Sequence, residues 1–321
     1  MKAAVLTSGG SMFKRVGTVA GFFCLLAGTQ AAWAVDNATV NSVASLANPL
    51  DNNGGGARAL GMGSAFVGVA DDSSALLWNP AGLSGLKKIE IALHHNSALG
   101  GIIQETGILG VPLGSLGGLG VSVNYVNAGA LPGYDESGAK TDDYSANRYG
   151  LGVGWGMQIL RGLSGGITAK GTLQSVADNS YSNLAVDLGA LWQPMQDLRV
   201  GLAYSNLGTS VAGYAQASAL RLGASYHLGL GDSNALLLAV SGAWEPQGVS
   251  RLQVGAEDLI LAVLAVRLGY QGNLADNQTY GLTGLTAGLG VTAQGFGLDY
   301  AFLPFGELGA AHRISLSYKF G

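Results

Sequence analysis

The chain is apolar enough for a membrane, yet past its first residues it holds no run long enough to cross one as a helix. Its mean hydropathy is +0.31 and only 11% of its residues are charged. A spanning helix needs about 20 consecutive apolar residues. The longest run beyond the N-terminus is Leu259 to Val266, which is strand length and stops at Arg267. Inside a bilayer every backbone polar group must find a partner within the protein, so the alternative to helices is a closed β-barrel. The 53 glycines agree with that choice, because glycine weakens helices and suits tight turns.

The residue pattern specifies the barrel in more detail. From about residue 88 the chain alternates apolar with small or polar residues, in segments separated by turn residues. Ile314, Leu316, Tyr318 and Phe320 share one face of the last segment, opposite Arg313, Ser315, Ser317 and Lys319. Tyr149, Leu151, Val153, Trp155 and Met157 oppose Arg148, Gly150, Gly152, Gly154 and Gly156 in the same way. Adjacent strand residues point to opposite faces, so each segment has one lipid-compatible side.

Fourteen such segments are predicted, at 88–97, 102–113, 117–127, 146–159, 163–175, 181–192, 197–206, 217–229, 234–244, 249–258, 260–271, 281–293, 295–303 and 311–320. Connections after even-numbered segments read as tight, and those after odd-numbered ones as longer, notably 128–146 and 207–216. That is the asymmetry of outer-membrane barrels between periplasmic turns and external loops. Aromatic residues near segment ends (Trp192, Trp244, Tyr270, Tyr300, Phe302) suit interfacial girdles. A soluble antiparallel sandwich would also alternate, but it would not call for an even strand number.

Residues 1–34 read as an export leader. Lys14 and Arg15 precede an apolar stretch from Val16 to Ala27, and Ala32-Trp33-Ala34 forms a small-x-small cleavage site, with Met12 an alternative start. The only cysteine, Cys24, lies in that leader, so the mature chain has no disulfide framework. The net charge of −4 does not suggest a nucleic-acid partner.

Residues 35–87 lack the alternation and are expected to form a plug inside the barrel, with residues 88–321 as the barrel itself. The faces assigned inward carry Glu90, His94, Arg148, Lys170, Asp187, Arg199, Arg221, His227, Arg251, Glu257, Arg267, Asp299, Arg313 and Lys319. These are expected to be structural cross-barrel pairs more than ligand-steering groups. Asp51, Asp71 and Asp72 are candidate plug partners for this mostly basic wall. Asp72 or Ser73 can cap a short helix over Ser74 to Trp78, which Asn79-Pro80 ends. Gly288 to Ala293 fits a dinucleotide fingerprint only formally, since no helix follows it. His94 and His95 are adjacent on one strand and face opposite sides, which opposes a shared metal. No catalytic constellation or cofactor site emerges.

The run from Gly56 to Asp72 (GARALGMGSAFVGVADD) is followed by SSALLWNPAGL, from Ser73 to Leu83. Together with Asp299 to Gly309 and His312 to Phe320, it resembles the PorV/PorQ branch of the FadL-type outer-membrane proteins. The resemblance implies a fourteen-stranded barrel with an N-terminal hatch. Within the hatch, Arg58, Gly61, Gly63, Asp71, Asp72, Asn79, Pro80 and Gly82 are its structural or gating residues. It also implies insertion by the barrel-assembly machinery through the aromatic last strand, with Tyr318 and Phe320 as the signal. The bacterial outer membrane is then the expected location and its lipid a partner. A PorV-like role in handling secreted cargo proteins is the main expectation, and a FadL-like diffusion channel for hydrophobic small molecules is the alternative.

Overall fold

A computed structural model of the chain describes residues 55–209, 216–231, 233–246, 250–274, 284–306 and 309–321. The expected leader, its cleavage site and residues 35–54 with Asp51 lie outside the described residues. The strands are Ile89–Ser97 (β1), Ile103–Pro112 (β2), Gly118–Leu131 (β3), Tyr144–Leu160 (β4), Leu163–Val176 (β5), Asn179–Met195 (β6) and Leu198–Gly208 (β7). They continue as Ala219–Gly229 (β8), Ala235–Trp244 (β9), Arg251–Ile260 (β10), Leu264–Asn273 (β11), Leu285–Ala293 (β12), Phe296–Pro304 (β13) and Ala310–Phe320 (β14).

All 14 pair antiparallel with their sequence neighbours, and β1 closes on β14 from Ile89↔Phe320 to Ser97↔His312. Closure leaves no sheet edge, so the strand backbone finds its partners without water. The expected alternation sets the two faces. Leu151, Leu173, Leu184, Leu268 and Leu289 stand outward and exposed, while Arg148, Asp187, Arg221, Glu257, Arg267 and Arg313 are buried inside. On the outer face, Trp155, Trp192, Phe296 and Tyr318 lie toward the rim with the short turns. Tyr149, Trp244, Tyr270 and Phe302 lie toward the other rim. Phe296, Tyr318 and Phe320 stack in sequence, with centroids 4.2 and 5.2 Å apart.

Many strand ends shift by a few residues from the sequence expectation, and three connections stand out. β10 and β11 turn at residues 261–263 and not at 259, because Leu261 and Ala262 adopt left-handed φ of 53° and 55°. Such a turn normally carries Asn or Gly, so its Leu-Ala form is hidden inside an apolar run. β5 and β6 are joined by Ala177 and Asp178 alone, where the expected segments left residues 176–180 between them. The expected loop at 128–146 shortens at both ends to 132–143, since β3 runs to Leu131 and β4 starts at Tyr144.

Residues 55–86 run inside the barrel. They form helix α1 (Ala57–Gly61), helix α2 (Ala75–Trp78) and a 3-10 turn, Pro80–Gly85. α1 packs against β11–β14, and the 3-10 turn against β2–β6. Phe66, Met62, Val69, Trp78 and Leu60 bury their side chains together with Leu237, Ala239 and Ala301 of the wall. Burying each of the larger side chains is worth roughly 1.5–3 kcal/mol. A second apolar cluster joins Leu76, Leu83 and Leu86 to Ala92 and Ile108.

Candidate functional site

The inward glycines explain how this segment fits. At Gly201 a Cβ would strike the Val67 carbonyl, at Gly255 the Met62 backbone, at Gly269 the Gly63 backbone and at Gly166 the Pro80 backbone. The small inward residues thus form the bed on which the backbone of this inner segment, termed the hatch for its position, lies. The hatch's own glycines answer them. A Cβ on Gly61 would come 3.1 Å from Gly288 Cα, and Gly82 abuts the Ala70 carbonyl. Gly63 needs both properties, with φ of 63° and Tyr270 N only 2.6 Å from where a Cβ would sit.

On the short-turn side of the hatch, charges converge. Arg58 Nη1 donates to Asp71 Oδ1 at 2.5 Å and Asp72 Oδ2 at 3.1 Å. Its Nε and Nη2 each donate to Glu257 of β10 at 2.9 Å, a two-point pairing. Glu257 also accepts from Arg267 Nε at 2.6 Å, and Arg267 Nη1 reaches Asp299 at 2.6 Å. Burial works against the Arg58 charge, but Asp71, Glu257 and Asp72 outweigh it and hold the guanidinium well above its ordinary pKa. Burial likewise opposes the Asp72 carboxylate, yet Arg58 and the Ser74 hydroxyl keep it below its ordinary value.

The expected pairing of Asp71 and Asp72 with a basic wall is therefore corrected in its direct partners, while the wall charge of Lys319 still favours the Asp72 carboxylate. Asp71 and Asp72 bind the hatch's own Arg58, and Arg58 pairs with a wall carboxylate. Wall cations instead meet hatch backbone and rings. Arg199 Nη1 donates to the Val69 carbonyl at 3.2 Å, and the Arg221 guanidinium lies 5.9 Å from the centre of the Trp78 ring. Glu90 accepts from Ser73 N at 3.0 Å and faces Lys319 at 3.6 Å.

Asn79 ties the other end. Its Nδ2 donates to Val67 O at 2.9 Å and to Ala190 O of β6 at 3.0 Å, while its Oδ1 accepts from Ala81 N at 3.2 Å. It therefore caps the 3-10 turn that Pro80 opens, in addition to following α2. α2 itself starts at Ser74 without a side-chain cap, and Asp72 Oδ1 accepts from Ser74 N at 2.9 Å. Residues not singled out from the sequence also anchor the hatch. Thr286 accepts from Gly63 N at 3.0 Å, and Ser225 donates to Gly68 O at 2.9 Å. Ser315 accepts from Ala57 N at 2.7 Å and lies 2.8 Å from His94 Nδ1. Serine and threonine on an inward face look like filler in a sequence, so nothing marked them.

The long-loop side of the hatch is different. Lys170 pairs with Asp187 at 2.8 Å, Arg251 with Glu245 at 2.5 Å, and Arg313 donates to Gln104 at 3.3 Å. Leu77, Gln104, Asn124, Arg148, Lys170 and Asn206 line a cavity of about 70 Å³ there. That is smaller than a cavity of roughly 150 Å³ that holds benzene. His94 faces inward and His95 outward, where it meets Glu105 at 2.7 Å.

No protein-family model and no curated protein sequence matches the chain. Solved structures share its fold. A TodX monoaromatic hydrocarbon channel, in a deltaS2 mutant form, aligns with a TM-score of 0.64 at 12% identity, over 84% of this chain and 100% of that one. The toluene transporter TbuX of Ralstonia pickettii gives 0.59 at 14% identity, over 84% and 99%. A FadL homologue of Pseudomonas aeruginosa gives 0.53 at 14% identity, over the same shares. The structural neighbours are thus channels of the FadL/TodX type, and the fold held in common is the closed barrel.

Proposed function

We propose that this chain is an outer-membrane channel for hydrophobic small molecules, with residues 55–86 as the hatch that closes its lumen. The observation that carries the reading is the seated hatch. It fills the short-turn half of a lipid-compatible barrel, with a small cavity above it. The fold shared with hydrocarbon channels along nearly their whole length supports the same view. The short-turn rim faces the periplasm, by the usual asymmetry of such barrels. Residues 1–34 direct export, and Tyr318 and Phe320 mark the last strand for barrel assembly.

This reading favours diffusion over the handling of secreted cargo. A lumen moulded to a hatch backbone by glycines has no room for a protein chain, and the PorV/PorQ motif alone does not specify cargo. Passage of a small molecule requires the hatch to shift, and the Arg58–Glu257 pair is the tie that must open.

The test is uptake of a monoaromatic hydrocarbon and of a fatty acid into liposomes carrying the protein. Uptake above that of protein-free liposomes, increased by Arg58→Ala, is expected. Uptake no faster than in protein-free liposomes for both the native chain and Arg58→Ala would overturn the channel reading. Lost surface display of exported proteins in a deletion strain would then point to the cargo role.

A further inference from the structure

A large cavity among the described residues lies outside the lumen. It is a groove of about 1050 Å³ on the outer face of β1–β6. Leu93, Val123, Tyr149, Leu151, Leu173 and Leu184 wall it, each 56% to 68% exposed. Its volume reaches the upper end of small-molecule sites, and its lining has their apolar character.

Two outward glycines, Gly107 and Gly171, line the groove, and they differ from the inward ones. A Cβ on Gly171 would meet only Leu184, at 3.6 Å, in ordinary contact. One on Gly107 would meet the Val123 side chain at 3.2 Å, a tight contact that needs a shift of a few tenths of an ångström, and Leu93 at 3.6 Å. Neither glycine has a positive φ. Backbone geometry does not require glycine at these two positions, and no hatch backbone crowds them. What their small size provides is room on the outer face.

The groove also has a polar end. Glu105, Ser182 and Thr209 line it toward the long-loop rim, with His95 held on Glu105. Tyr125 and Tyr149 stack beside them at 5.0 Å. An apolar trough ending in hydrogen-bonding groups at one membrane interface matches an amphiphile lying along the wall.

We propose that this groove is a binding site for one acyl chain of a bilayer lipid, its headgroup held at the Glu105–Ser182–Thr209 end. The inference rests on the outer-membrane placement above. It commits to lipid because the groove is continuous with the lipid-facing belt, where acyl chains are the surrounding medium.

The test uses the full-length barrel in phosphatidylcholine vesicles doped with phosphatidylcholine bearing a diazirine on one acyl chain. Crosslinks are mapped by peptide mass spectrometry. On the wild-type chain, labelling at Leu151, Leu173 and Leu184 is expected to exceed that at Leu252, Leu268 and Leu289 across the barrel by several-fold. Gly107→Leu/Gly171→Leu fills the groove and should erase the excess while labelling across the barrel persists.

Even labelling around the wild-type belt overturns the proposal, and that map does not depend on the variant folding. A diazirine fatty acid that reproduces the excess when the phospholipid does not would also overturn it, by assigning the groove to a free ligand. Failure of the outer-membrane reading is distinct, since the chain would then give no inserted, heat-modifiable barrel and no crosslinks at all.

Discussion

The two sides of the hatch are held to the same wall by different forces. Around α1, contact with β10–β13 runs through Arg58, Glu257, Arg267 and Asp299, together with backbone laid on Gly255 and Gly269. Around α2 and the 3-10 turn, contact with β2–β6 is apolar surface, glycine bed and the neutral hydrogen bonds of Asn79 and Ser84. Apolar packing is non-directional and yields gradually, whereas a partly buried ion network is either paired or costly. On the proposed channel reading, the α1 side is the latch and the 3-10 side the hinge seat.

The largest test of that contrast is Arg58→Ala. It leaves Asp71 and Asp72 without their cation and Glu257 with Arg267 alone, and breaking such a buried pairing costs roughly 3–5 kcal/mol. Hydrogen exchange should rise across residues 57–72 while residues 79–85 stay protected. Equal loss at both ends would mean that the hatch releases as one piece and has no latch side. Arg58→Lys keeps the charge without the two-point geometry, and should fall between.

Wall glycines probe both sides at a smaller scale. Gly255→Ala and Gly166→Ala push a methyl group into hatch backbone and should each destabilise by about 1–3 kcal/mol. Gly171→Ala, on the outer face, should stay within about 0.5 kcal/mol. Denaturant midpoints of the refolded barrel check this, and a costly Gly171→Ala would blur the distinction between inner and outer glycines. Asn79→Ala abandons the carbonyls of Val67 and Ala190 on the hinge side. It should cost about 1–2 kcal/mol and loosen residues 79–85 first.

The smallest effect is the pH dependence of the latch. The folded state holds the Asp72 carboxyl below its ordinary value of 3.8. Its contribution is then full above that value and is lost as pH falls below it through the lowered folded value. Exchange at residues 57–72 should accelerate on acidification in that window, and Asp72→Asn should flatten the change. An identical slope in the variant would assign the acid sensitivity to another carboxylate.

Legibility in the sequence followed how local each cause was. Alternation in β14 or β4 is a property of neighbouring residues, so strand number and facing were readable from Arg313 to Phe320 and from Tyr149 to Met157. The β10–β11 turn was displaced because Leu261 and Ala262 carry none of the turn chemistry that their conformation normally demands. Arg58 and Asp72 were readable as hatch residues, but their partners were not. Glu257 lies 199 positions from Arg58 in the chain, and no local pattern ties them.

By itself, the sequence determined an antiparallel barrel of about fourteen strands, because hydropathy without a spanning run and a period of two leave few other solutions. Only the tertiary structure decided which inward residues meet the hatch. It turned Gly154 and Gly156 from spare space into part of a mould, and it placed the ion network on one side of the hatch alone. It also set the outward glycines Gly107 and Gly171 beside a groove. Periodicity states which face a residue occupies, but which distant segment covers that face depends on the closure of the whole sheet.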